Sequence, residues 1–167
     1  MRCGDRDDSP GGAGIMAAFG LLFDGARTSF HDDPMSHGDV DQKNIILAAD
    51  GPVLCDWDVA APWDRRAELA RTAMSLAAWQ RPDIARSAIT AYASHGGDAD
   101  LPLAPHDLAV DFVLGIDWLT LCIERATGLR AADDISRPQN EQLVRDLLTA
   151  TPRHLTIALD IERWLHR

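Results

Sequence analysis

From residue 64 to the end of the chain the apolar residues recur at helical spacing, and only two short β-type runs precede them. This order limits the fold to a helical body carrying one small hairpin. The runs NIILAA (44–49) and VLCDW (53–57) flank a DGP turn cluster. Pro52 has no N–H, so a two-residue loop closed by Ala49 and Pro52 would lose a ladder bond. A looser turn is expected, with the register open by one residue. Beyond the hairpin, Asp64 is a candidate N-cap for a helix whose buried stripe would be Leu69, Ala73, Leu76 and Trp79. Pro82 suits a helix first turn, and Gly96–Gly97 suits its end. A long helix follows, with Leu108, Phe112, Ile116, Leu119 and Ile123 on one face. Ser136 and Gln139 form a capping box. Thr151–Pro152 is expected to begin a separate last helix that runs through Trp164. The expectation is a mainly α (α+β) domain: one hairpin, then about five helices.

The start of the chain differs. Residues 1–13 are rich in Gly, Asp and Pro and offer little to bury, which predicts disorder. Residues 14–23 suit a short helix or a strand, and 24–38 read as loop. The expected division is therefore a poorly structured or atypical segment over 1–30 and a folded unit over 31–167. In the latter, a loop and hairpin span 36–58 and helices span 63–167.

Charge and cysteine usage exclude several classes. A net charge of -10 argues against nucleic-acid binding, which needs a basic patch to displace counterions. Three widely spaced Cys without a CxxC favour neither a disulfide framework nor a zinc site, and fit the cytoplasm. No apolar run approaches the roughly 20 residues of a membrane span, so no membrane partner is expected.

The polar chemistry gathers in SHGDVDQKN (36–44), directly ahead of the first β run. A hairpin returns on itself, so Asn44 at its start and Asp56 and Asp58 at its end arrive together, with Asp39 over them. Such a set of hard oxygen donors suits Mg²⁺ rather than zinc. Asp117 and Glu124, seven residues apart on the long helix, share a face that is either solvated or turned to an amino-bearing substrate. Trp57, Trp118 and Trp164 are expected in the core or in a cleft wall.

HGDVDQKN followed by CDWD resembles the catalytic core of the aminoglycoside phosphotransferase and choline kinase family, whose pattern is H-G-D-x-x-x-x-N, a hairpin, then D-W-[DE]. The resemblance runs from about Ser36 to Trp79. It implies the C-terminal lobe of a protein-kinase-like fold and ATP-dependent transfer of phosphate to a hydroxyl on a small molecule. By position, Asp39 corresponds to the catalytic base, and His37 to the motif histidine that braces the loop. Asn44 and Asp56 correspond to the Mg²⁺ ligands. Gly38 would allow the sharp turn, Asp58 would support the metal or contact substrate, and Asp64 would cap the next helix. Glu68 stands where the family usually has Asp.

The same resemblance implies an N-terminal nucleotide-binding lobe on the order of 80–100 residues long. Only 36 residues precede His37, and the chain's single lysine, Lys43, lies inside the motif rather than on a strand. The expectation is a partial enzyme with that lobe missing, through a mis-called start or a frame disruption, or supplied by another chain. The alternatives are a kinase-lobe remnant that only binds, and a metal-dependent phosphoesterase.

Overall fold

The computed structural model describes residues 12–23, 34–97, 102–131 and 134–167. The stretches 1–11 and 24–33, on which the expectations of disorder and loop mainly fall, lie outside the described residues. Within the segment read as poorly structured or atypical, Gly12–Phe23 forms helix α1. Its Leu22 is fully buried, and Phe19 meets Phe112 edge-on with ring centroids 5.9 Å apart.

Two small antiparallel sheets follow. Strand β1 (Met35–Ser36) pairs with β4 (Ala61–Pro62), a pairing absent from the sequence reading. Strands β2 (Ile45–Ala48) and β3 (Gly51–Leu54) form the expected hairpin. Its loop is tight, not loose: Ala48 faces Gly51 and only Ala49 and Asp50 lie between. The register differs by one residue from the loop closed by Ala49 and Pro52, and this removes the proline's cost. Cys55 N–H donates to Asn44 O at 2.9 Å, so Asn44/Cys55 is a hydrogen-bonded pair. Such pairs alternate along an antiparallel ladder, which puts Leu47/Pro52 at a non-bonded position.

The remainder is helical: α2 (Arg65–Leu76), α3 (Pro82–Ser94), α4 (Ala109–Thr127), α5 (Arg137–Leu159) and α6 (Ile161–Leu165). A 3₁₀ turn over Pro105–Leu108 leads into α4. The molecule is thus mainly helical, with five helices after the hairpin among the described residues. Asp64 caps α2 as expected, accepting from Arg66 N–H at 2.8 Å and Ala67 N–H at 3.2 Å. The core joins Leu69, Ala70, Ala73 and Met74 of α2 to Leu108, Phe112, Leu155, Ile161 and Trp164.

Three helical expectations are corrected. Trp79 does not continue the α2 stripe. The helix ends at Leu76, and Ala78 and Trp79 take left-handed backbone at φ 48° and 55°. Pro82 disfavours helix at Arg81, so the chain must turn here, and Trp79 is anchored through its carbonyl by Arg153 Nη2 at 3.2 Å. Second, Pro152 does not start a helix but lies inside α5. The Thr151 hydroxyl donates to Leu147 O at 2.7 Å, adding a bond in the turn where proline removes one. Third, the α4 stripe is buried at Leu108 and Phe112, but Ile116 and Ile123 are exposed. No helix among the described residues is long and apolar enough to cross a membrane.

Candidate functional site

The hairpin and α2 together fix the SHGDVDQKN loop. Gly38 has φ +76°, and a Cβ there would lie 2.6 Å from Trp63 Nε1 and 3.0 Å from Val59 O, so only glycine fits. Its N–H donates to Glu68 Oε1 at 2.8 Å, and the Ser36 hydroxyl donates to Glu68 Oε2. Glu68 thus clamps the loop from α2. Gln42 adds a second tie, its side-chain amide donating to Leu76 O at 3.1 Å.

His37 is buried and spends both ring nitrogens on backbone. Nε2 lies 2.8 Å from Cys55 O, and Nδ1 accepts from Asp39 N–H at 3.2 Å. A carbonyl can only accept and an amide N–H can only donate, so the proton sits on Nε2. The ring stands edge-on to Trp57, centroids 4.6 Å apart. His37 therefore braces the loop against the end of β3. Trp57, expected in the core or a cleft wall, is exposed.

Asp39 is the electrostatic centre. Its Oδ1 meets Arg71 Nη2 at 2.7 Å and its Oδ2 meets Lys43 Nζ at 3.0 Å. Asn44 Nδ2 donates to Asp39 Oδ2 at 3.0 Å and to Asp39 O at 2.9 Å. Burial pushes the Asp39 carboxyl up, but Lys43, Arg71 and Asn44 outweigh it and hold the group below the ordinary carboxylate range. Arg71 also binds Asp111 Oδ1 at 3.1 Å and donates to Gly38 O. Burial raises Asp111 against the opposing charge of Arg71.

Asp56 follows directly on the Asn44/Cys55 pair, in left-handed backbone at φ 67°. It is exposed, and its carboxyl is raised by the hydrogen bond and charge of neighbouring Asp58. The structure brings Asp39 and Asn44 into contact and puts Asp56 and Asp58 at the same end of the hairpin. Asp64 stays a cap. Asp117 is exposed, and Glu124 lies 3.7 Å from Arg130.

The donor set suits a hard cation. Asn44 turns its amide nitrogen to Asp39, and Asp56 and Asp58 form a close carboxyl pair beyond the end of β3. Among the described residues no three His, Cys, Asp or Glu side chains gather into a metal cage. Mg²⁺ needs only one or two protein carboxylates, so this set is sufficient in kind.

Beside Asp39 lies a cleft of about 590 Å³, bounded by Trp63, Trp79, Phe112, Ile116, Trp118, Leu119 and His154. His154 stacks on Trp79 at 4.3 Å and 11°. Sequence reasoning missed Arg71, the clamping role of Glu68, and the cleft. A signal was present for the first two: Asp64, Glu68, Arg71 and Ser75 fall at helical spacing as one polar stripe of α2. Comparison with protein-family models, with curated proteins and with solved structures finds no match to this chain.

Proposed function

We propose that the chain is the acceptor-side, C-terminal-lobe half of a kinase-like phosphotransferase that moves the γ-phosphate of ATP to a small-molecule hydroxyl. The observation that carries this reading is the single cluster at the hairpin end, where Asp39, Asn44 and Asp56 follow the H-G-D-x-x-x-x-N and D-W-D spacing. Asn44 Oδ1 and the Asp56 carboxylate would hold Mg²⁺, which neutralises charge on the donor phosphates.

Asp39, ionised at neutral pH, would orient the acceptor hydroxyl and take its proton as the oxygen bonds to the γ-phosphorus. The bond from that phosphorus to the bridging oxygen breaks, and ADP leaves. A carboxylate of low basicity suffices because positioning carries most of this catalysis. The hydroxyl would reach Oδ2 by displacing Lys43, whose side chain is 64% exposed. Such a surface pair is worth only about 0–1 kcal/mol. Arg71 keeps Oδ1 in place meanwhile. The phosphate-clamping strand lysine of the resembled family has no counterpart in a sequence whose one lysine is Lys43.

The occupation of both Asp39 oxygens favours a rival reading, a module that binds without turnover. Thermal unfolding with Mg²⁺, then with Mg²⁺-ATP, tests the metal site in wild type and Asp56→Ala. A rise in Tm that Asp56→Ala abolishes is expected, and no rise in wild type refutes the site. Phosphate transfer to alcohols, measured beside Asp39→Asn, separates transferase from binding module. Equal turnover in both proteins would remove Asp39 as the base.

A further inference from the structure

We propose that the cleft beside Asp39 takes an uncharged, largely apolar molecule carrying a hydroxyl, and that it discriminates against polycations. The fate assigned to the hydroxyl rests on the phosphotransferase reading; the choice of ligand rests on the cleft wall.

A volume of about 590 Å³ is the size of a small-molecule pocket. The long wall comes from α4, where Ile116 and Trp118 are 44% and 37% exposed. Ile116 and Trp118, two residues apart, stand at opposite edges of the α4 face that lines the open cavity, so a ligand would complete their burial. Gly115 lies between them, and a Cβ there would meet nothing within 4 Å. The bare backbone widens the groove at mid-helix.

The polar end carries little free charge. Asp39 and Asp111 share Arg71, and the remaining Asp39 oxygen is held by Lys43. Asp41 adds a third carboxylate to these two cations. His154, opposite on α5, has its pKa lowered to about 4 by burial and by the charge of Arg153, so it is neutral at pH 7. The chain's surplus of negative charge, -10 overall, is therefore not concentrated here. A polycation would surrender its hydration to an apolar wall and find only Asp41 as a carboxylate outside these ion pairs. An apolar alcohol would bury its body against α4 and leave its hydroxyl beside Asp39.

Equilibrium dialysis of the full chain at pH 7 tests this with 2-(2-naphthyl)ethanol and, as the cationic probe, kanamycin. Gly115→Leu fills the groove and Ile116→Glu charges its wall, both at exposed helix positions that tolerate a side chain. Each should weaken naphthylethanol binding at least about tenfold, or roughly 1.4 kcal/mol. The assignment falls if naphthylethanol does not bind, if it binds both wall variants as well as wild type, or if kanamycin binds more tightly. Binding as expected, without phosphate transfer to the bound alcohol, would overturn the phosphotransferase reading and leave the cleft assignment standing. Phosphorylation of kanamycin in preference would do the reverse.

Discussion

His154 should make the protein less stable as pH falls from about 6.5 to 4. Its ring stacks on Trp79, and burial together with the charge of Arg153 lowers its pKa from 6.5 to about 4. Between those values the unfolded chain holds the proton and the folded one does not. Acidification therefore favours unfolding across that window and adds nothing further below it. A gap of about two and a half units corresponds to about 3.4 kcal/mol at 1.36 kcal/mol per unit. The ring is only partly shielded, so solvent screening reduces this to about 1.5–2 kcal/mol. His154→Phe keeps a flat ring against Trp79 and removes the titration. Urea unfolding of both proteins at pH 7, 6, 5 and 4.5 gives the difference directly, and other histidines cancel. The variant should hold its stability while wild type loses ground. Parallel pH profiles would refute the reasoning, because they would mean that the native ring takes its proton as readily as the unfolded chain.

Three other substitutions test the scaffold. Gly38→Ala combines positive φ with a Cβ 2.6 Å from Trp63 Nε1, and should cost about 2–4 kcal/mol in urea unfolding. A loss below about 0.5 kcal/mol would show that Trp63 yields freely. Glu68→Ala removes the acceptors of Gly38 N–H and Ser36 Oγ and should cost about 2 kcal/mol, whereas Glu68→Gln keeps one amide acceptor and should cost less. Equal losses would deny Glu68 its clamping role. Pro152→Ala should raise stability by about 1–2 kcal/mol, the proline penalty in a helix interior offset by greater freedom of the unfolded chain. A fall in Tm would show that packing of the ring outweighs the missing backbone bond.

Local signals in the sequence carry through to the structure. The hairpin, the Asp64 cap and the Pro82 start each depend on residues within one turn of each other, and each appears in the structure. Signals that compete with tertiary contact do not. Pro152 looked like a boundary because proline usually is one, but helical segments on both sides and the Thr151 hydroxyl carry α5 through it. Ile116 and Ile123 looked like core because periodicity reports an apolar face without saying what covers it. The short β1–β4 pair was invisible, since strands of two residues have no periodicity to read. In the site, the motif brought attention to Asp39 and Asn44, which do touch. It was silent about Arg71, thirty-two residues from Asp39, because that partner is set by helix packing rather than by spacing within the motif.

Helix α2 makes the site inseparable from the core. Its buried face supplies Leu69, Ala70, Ala73 and Met74 to the hydrophobic cluster. Its opposite face holds the loop at three successive levels: Glu68 at Ser36 and Gly38, Arg71 at Gly38 and Asp39, and the Leu76 carbonyl at Gln42. Rotation or loss of this helix would displace every one of those contacts together. Arg71 extends the coupling to α4, because its guanidinium lies between Asp39 of the loop and Asp111 at the cleft. Without that cation two partly buried carboxylates would face each other, and protonating one would be the cheapest relief. Asp111, which burial already raises, would take the proton first. Asp39 would keep Lys43 and Asn44 and stay ionised, at the cost of a less fixed position. The charge of Asp39 is thus secured by its own loop, while its placement depends on α2.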